Sequence, residues 1–121
     1  MRPLLPSQLK EFLDRFDYFK ESEVRSLEII SPTIIEMTLT AQDKARAYDW
    51  VTITFLFDEV KDAKLINGSQ IAYIDLDDGI SIVTEDDFFA FCLQNYTTVA
   101  SIKESSFYIL SKSIKYKEGA F

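Results

Sequence analysis

Two clusters of carboxylates are the residues of this chain whose types and spacing best suit chemistry or recognition. They are Asp75-Leu76-Asp77-Asp78-Gly79 and Glu85-Asp86-Asp87. Clustered carboxylates can hold hard cations such as Ca²⁺ or Mg²⁺, but the first cluster lacks the ligand spacing of an EF-hand loop. Acid-rich segments of this kind are also common turn sequences. We therefore expect two turns with no metal ion and no cofactor, and the candidate partner contacts in them are Asp77, Asp78, Glu85, Asp86 and Asp87.

The commonest general base of enzymes is missing, which leaves carboxylates, Lys and Tyr as the groups through which the alternative, an enzyme, would act. The chain has no histidine, which removes His-dependent triads, Cys–His dyads and His-ligated metal sites. Its one cysteine, Cys92, lies in an apolar segment and is expected to be a small core residue. The two acidic turns bracket one predicted strand and should lie at its opposite ends, which argues against a paired-carboxylate active site. We predict that the protein is not an enzyme.

The charge of the chain is concentrated in one stretch. The formal net charge is −7, and residues 57–87 hold nine acids against two lysines, which accounts for the whole imbalance. Residues 103–117 hold four lysines and one glutamate. Nucleic acids and anionic membrane surfaces need a basic face, so we expect neither as a partner. The charge instead favours a basic protein as the partner.

Tyr48 and Trp50 form a second candidate contact site. They precede a predicted strand, and Tyr and Trp are enriched among the residues that dominate protein interfaces. The alternative is that the two rings cap the core where the strand begins.

Hydrophobic periodicity indicates one helix followed by strands. Apolar residues recur at helical spacing from Leu9 to Phe19, so the sequence predicts an amphipathic helix with Ser7 as its N-cap. A tight turn is expected at Asn67-Gly68 and a loop over 94–101. Alternation with a period of two predicts strands over 24–30, 33–40, 51–57, 60–66, 71–76, 80–84, 88–93 and 107–117.

These elements predict an α+β fold in a single domain spanning residues 1–121. One N-terminal amphipathic helix is expected to pack on a seven- or eight-stranded antiparallel meander sheet, because no crossover helices for parallel strands are visible. The alternative is a half-barrel in which the helix closes an aromatic-lined cavity. Lys112 interrupts the alternation of the last strand, which indicates a bulge or an edge position there.

The composition favours a cytoplasmic protein. A single cysteine excludes an intrachain disulfide. The N-terminal residues are too short and too proline-broken for the core of a signal peptide, and no apolar run approaches the roughly 20 residues that span a bilayer.

Two segments resemble small bacterial immunity-type proteins of polymorphic toxin systems. In Phe19-Lys20-Glu21-Ser22-Glu23-Val24-Arg25-Ser26-Leu27-Glu28-Ile29, a Phe and an acidic residue lead into Glu-Val and an alternating Leu strand. Ile53-Thr54-Phe55-Leu56-Phe57-Asp58-Glu59-Val60 is similar to the strand, aromatic, turn and Val unit of that group. His-Asp often follows the Phe in those proteins, whereas this chain has Lys20-Glu21, so no site is carried over from that pair. The resemblance implies protection of a cell by tight, non-catalytic binding of a toxin.

Three function hypotheses follow from these observations. The first is a non-catalytic, immunity-type inhibitor whose acidic turns meet a basic toxin domain. The second is a homodimer joined through an edge strand, for which the lysine-interrupted C-terminal strand is one candidate. The third is a small-molecule-binding half-barrel with a cavity above about 300 Å³.

Overall fold

The computed structural model describes residues 1–66, 68–71 and 73–121. Its helices are α1 (Leu9–Arg15), α2 (Gly68–Ile71) and α3 (Val99–Lys103). Its strands are β1 (Arg2–Pro3), β2 (Val24–Ser31), β3 (Ile34–Asp43), β4 (Asp49–Lys64), β5 (Ser81–Glu85), β6 (Phe88–Cys92) and β7 (Tyr108–Ala120). None of the helices within the described ranges has the length and apolarity needed to cross a membrane.

The strands form one antiparallel sheet with the order β2-β3-β4-β7-β6-β5, and β1 pairs separately with β7. The predicted antiparallel sheet and N-terminal helix are therefore confirmed. The sheet consists of two meanders, β2-β3-β4 and β5-β6-β7, that join along the long strands β4 and β7. It stays open, with β2 and β5 at its edges among the described strands, and does not close into a barrel.

The main core lies on one face of the sheet, beneath α1. Strict alternation in β4 directs Ile53, Phe55 and Phe57 to this face, where all three are fully buried. The ring of Phe12 in α1 packs on that of Phe55 at a centroid distance of 5.9 Å. The rings of Phe55 and Phe91 lie 5.7 Å apart, so packed aromatic side chains fill the space that a ligand cavity would need.

A smaller cluster occupies the opposite face, where β6 and β7 alternate their side chains. Ala90, Cys92 and Leu110 pack there against Ile102 of α3. The predicted core role of Cys92 is confirmed, because its side chain is fully buried. The loop predicted over 94–101 is wrong from Val99 onwards, because α3 begins there. Thr98 caps the N-terminus of α3 by accepting the Ser101 amide N–H at 3.2 Å.

The N-terminal helix is shorter than its apolar periodicity predicts. Ser7 lies within a 3₁₀ turn over Pro6–Gln8 and provides no side-chain cap, so its predicted role as N-cap is wrong. The α-helix ends at Arg15, and Asp17, Tyr18 and Phe19 all take left-handed backbone conformations, with φ of 54°, 55° and 58°. This turn still delivers the ring of Phe19 to the core, where it is fully buried.

The middle of the chain differs most from the sequence prediction. Residues 60–66 do not form a separate strand, because β4 continues past Asp58 to Lys64 with Glu59 at a φ of 52°. The strand predicted over 71–76 is wrong: α2 ends at Ile71 and residues 73–76 form no strand. The Asn67-Gly68 turn falls partly outside the described residues, since Asn67 is not among them.

Lys112 belongs to an inner strand of the sheet, at a point where no described strand pairs with one side of it. β7 pairs with β4 on one side and with β6 and β1 on the other, but the pairing with β6 ends at Ser111 and that with β1 covers only Lys115 and Tyr116. The expected irregularity is nearby, as a register shift between Val60 and Asp62 of β4. A homodimer through this strand stays a prediction.

Candidate functional site

Within the described residues, the carboxylates of residues 57–87 take part in no salt bridge. Eight of these nine acids are exposed and Asp58 is half-buried. Among the described residues, the salt bridges are Arg15–Asp43, Arg15–Glu118, Arg25–Glu23 and Lys44–Asp14. All of them use acids outside the stretch, so the tail lysines do not neutralise it. The nine acids are Asp58, Glu59, Asp62, Asp75, Asp77, Asp78, Glu85, Asp86 and Asp87.

The first group of acids, which we name the loop patch, consists of Glu21, Asp75, Asp77 and Asp78. The Asp75 carboxylate accepts the Asp77 amide N–H at 2.8 Å, which shapes the predicted turn. The Glu21 amide N–H donates to the Leu76 carbonyl at 2.9 Å and brings Glu21 to this turn. The charge of Asp75 foremost, together with slight desolvation, a hydrogen bond with Asp75 and the charges of Glu21 and Asp78, raises the pKa of Asp77 above its ordinary value. These like charges are therefore close enough to repel one another.

A shallow depression of about 320 Å³ adjoins the loop patch. Asp75 and Asp78 line one side of it, and Leu93 and Tyr96 line another. The depression offers a partner both carboxylates and apolar contact. No group of three or more acidic or cysteine side chains in the described part of the chain is arranged to hold a metal ion.

The second group, which we name the hairpin patch, consists of Glu85, Asp86 and Asp87. Glu85 pairs with Phe88 at the end of the β5–β6 hairpin, so Asp86 and Asp87 form its two-residue turn. Asp86 has a φ of 52°, a conformation that Asp tolerates better than most residues. All three side chains of the patch are exposed.

The two patches lie at opposite ends of β5, as the sequence predicts. β5 has five residues, so its ends are about 13 Å apart at the usual rise of a strand. This separation exceeds the roughly 5–10 Å that a pair of catalytic carboxylates requires. It is smaller than the breadth of one protein interface, which covers about 800 Å² on each partner and is thus about 28 Å across.

Tyr48 and Trp50 are not brought together with the acidic patches. They lie at the β3–β4 connection, where Trp50 pairs with Gln42, far along the sheet from β5 and β6. Tyr48 is exposed, and Trp50 packs on the ring of Phe121 at 5.8 Å. Trp50 is half-buried, and neither ring is among the members of the two buried clusters.

A groove of about 370 Å³ beside the hairpin patch contains the residues that sequence reasoning missed. Leu5 and Pro6 of the N-terminal segment line it, together with Lys112 and Lys115 of β7. The only signal for it in the sequence is Lys112, which breaks the alternation of its strand. Comparisons of the chain with protein-family models, curated protein sequences and solved protein structures give no match.

Proposed function

We propose that this protein is a non-catalytic binding protein that recognises a basic protein partner through the loop patch and the hairpin patch. One observation carries the proposal: the acids of residues 57–87 form no salt bridge within the described part of the chain, while acids elsewhere do. Unpaired like charges repel in the free protein. A basic partner removes that repulsion and gains steering towards the surface.

The resemblance to immunity-type proteins suggests which basic partner to test. A toxin domain that acts on nucleic acid carries a basic surface, and an acidic protein inside the producing cell inhibits it by covering that surface. The proposed location is therefore the cytoplasm. Binding alone is sufficient for this role, and no catalytic group is needed.

Immunity-type proteins are encoded beside the toxins they inhibit, so the partner to test is the protein encoded by the gene next to that of this chain (the neighbouring gene product). The experiment measures its binding by titration calorimetry at about 50 and about 300 mM salt. The loop-patch variant is D75N/D77N/D78N and the hairpin-patch variant is E85Q/D86N/D87N. Three exposed charge pairs contribute about 1–2 kcal/mol together, so each variant should weaken binding about 5- to 30-fold at low salt.

The matched control is E11Q/E104Q, which removes two exposed acids outside both patches. It should change the affinity by less than about twofold. Tight binding that does not depend on salt, or that survives both patch variants, contradicts the proposal.

A second candidate function is self-association through β2. β2 is an edge strand, and its residues Ile29 and Ile30 are 62% and 49% exposed. Exposed aliphatic residues on an edge favour pairing with a second copy of the chain. Light scattering on a size-exclusion column should then give a dimer whose mass halves in Ile29→Lys, and a strict monomer at high concentration removes this candidate.

A further inference from the structure

The sheet has a gap along one side of β7. β1 pairs with β7 at Lys115 and Tyr116, and β6 pairs with it only as far as Ser111. From Ser111 to Ile114, whose carbonyl accepts the Leu4 amide N–H, the strand advances about 10 Å. Adjacent strands lie about 5 Å apart, so the gap is wide enough for one further segment of chain and its side chains. The groove of about 370 Å³ occupies this position.

The walls of the groove are apolar near its centre. Leu5, which is 45% exposed, and Pro6 lie on the side of the N-terminal segment, and Phe88 lies on the side of the hairpin. The Leu4 amide N–H donates to the Ile114 carbonyl at 2.8 Å and holds the N-terminal segment against β7. Anchors of protein interfaces are commonly apolar side chains seated in pockets of this kind.

Residues of both charges also line the groove. Asp86 and Asp87 belong to the hairpin turn, and Lys112 and Lys115 belong to β7. No salt bridge joins these acids to these lysines among the described residues. The groove therefore offers a bound segment anionic, cationic and apolar contacts together.

We propose that this groove binds a peptide segment of the protein partner in which an apolar side chain lies between a basic residue and an acidic residue. The inference rests on the proposed binding function and names the segment that docks there. The basic residue meets Asp86 and Asp87, and the acidic residue meets Lys112 and Lys115. Because these lysines repel cations, a segment that is basic throughout fits this groove less well than the mixed one.

Short peptides test this chemistry without knowledge of the partner. The probes are capped pentapeptides with the central sequences Lys-Phe-Glu, Lys-Phe-Lys, Glu-Phe-Glu and Lys-Gly-Glu, titrated into ¹⁵N-labelled protein to about 10 mM. Lys-Phe-Glu should shift the amide resonances of Thr84, Phe88 and Lys112, which line or floor the groove. The other three peptides should bind at least about fivefold more weakly. Each lacks one contact: Lys-Phe-Lys has no acidic residue, Glu-Phe-Glu has no basic residue, and Lys-Gly-Glu has no apolar side chain.

Two charge variants supply the specific readout. D86N/D87N and K112Q/K115Q should each weaken binding of Lys-Phe-Glu at least about fivefold, while K112Q/K115Q should strengthen binding of Lys-Phe-Lys. Equal binding of Lys-Phe-Lys and Lys-Phe-Glu, or no shifts with Lys-Phe-Glu at about 10 mM, overturns the inference. When the peptides fail in this way, binding of the neighbouring gene product separates two outcomes. If that protein binds and both patch variants weaken its binding, only the groove inference has failed. If that protein does not bind, the proposed function has failed too.

Discussion

The ion pair between Arg15 and Asp43 fastens α1 to the sheet, and its removal tests the physical account of the fold directly. Arg15 Nε donates to one oxygen of the Asp43 carboxylate at 3.0 Å, and Nη2 donates to the other at 2.8 Å. The Ala45 amide N–H adds a third hydrogen bond at 2.9 Å. The Asp43 side chain is 0% exposed and that of Arg15 is 34% exposed, and Arg15 also contacts Glu118 at 2.8 Å.

The expected cost of Asp43→Asn follows from this geometry. Removing one partner of a buried ion pair costs about 3–5 kcal/mol. Arg15 is about a third exposed and keeps its contact with Glu118, so part of its charge stays solvated and paired. We therefore expect the free energy of unfolding to fall by about 2–3 kcal/mol, which corresponds to a melting temperature roughly 6–12 °C lower.

The pH dependence has a definite sign. The hydrogen bonds from Arg15, followed by that from the Ala45 amide, hold the pKa of Asp43 below its ordinary value of 3.8 despite its burial. The ionised carboxylate therefore stabilises the folded state fully above pH 3.8, and this contribution is lost as the pH falls through the lower pKa of the folded protein. The difference between wild type and Asp43→Asn should be constant near neutral pH and shrink in acid.

Urea unfolding followed by the fluorescence of Trp50, the only tryptophan, and by far-UV circular dichroism measures these differences. Asp14→Asn is the matched control, because Asp14 is 63% exposed and pairs with Lys44 at 3.4 Å. That control should cost less than about 0.5 kcal/mol. The reasoning is refuted if the two variants cost the same, or if the cost of Asp43→Asn persists unchanged at a pH well below 3.8.

Three further substitutions test backbone conformation and surface charge. Ala47 has a φ of 54°, so Ala47→Gly should raise the free energy of unfolding in urea by about 0.5 kcal/mol, and a loss would argue against strain at this position. A side chain at Gly79, whose φ is 82°, would collide with the Tyr18 carbonyl oxygen, so Gly79→Ala should cost about 2 kcal/mol or more in the same assay, and a neutral result would contradict the close approach. Asp77→Asn removes the repulsion, chiefly from Asp75, that raises the pKa of Asp77, so it should raise the melting temperature at neutral pH. That gain should vanish as the pH falls through the raised pKa of Asp77 towards 3.8, and a gain that persists in acid would point to another cause.

Strands with local signals could be predicted from the sequence, and β4 shows where those signals end. Its first half, Val51 to Phe57, alternates strictly, and the structure has it as a strand. Asp58 and Glu59 resemble a strand terminator, yet the strand continues to Lys64 because β7 pairs with it from Val51 to Lys64. Pairing between residues so far apart in the chain overrides a local preference against extended structure.

The end of α1 shows a second limit of local reasoning. Phe16 and Phe19 keep helical spacing, but Asp17, Tyr18 and Phe19 turn the chain left-handed. Each such residue costs roughly 1–2 kcal/mol, so a sequence pattern gives no reason to expect three together. The Ile80 amide N–H donates to the Tyr18 carbonyl at 2.9 Å and stabilises the turn through a distant part of the chain.

The acidic candidate residues were visible in the sequence because charge is a local property. The groove beside them was not, since it depends on the pairing of Arg2 and Pro3 with Tyr116 and Lys115 across nearly the whole chain. The single alternation break at Lys112 marks one residue of the groove and gives no information about the N-terminal wall. The sequence therefore indicated the acidic residues of the candidate site but not the apolar residues Leu5, Pro6 and Phe88 that line the groove with them.

The order of the strands helps to explain why, among the described residues, the acids of 57–87 form no salt bridge although the tail carries lysines. β6 separates β7, which bears the lysines of residues 112–117, from β5, which carries an acidic patch at each end. Two strand spacings are about 10 Å, which is close to the distance over which physiological salt screens a charge. The lysines of β7 come near the acids of the hairpin at the groove beside Asp86, where β1 and β6 leave part of β7 uncovered. A sheet in which β7 paired directly with β5 would bring these lysines closer to both acidic patches, so the charge of this surface depends on the topology as much as on the composition.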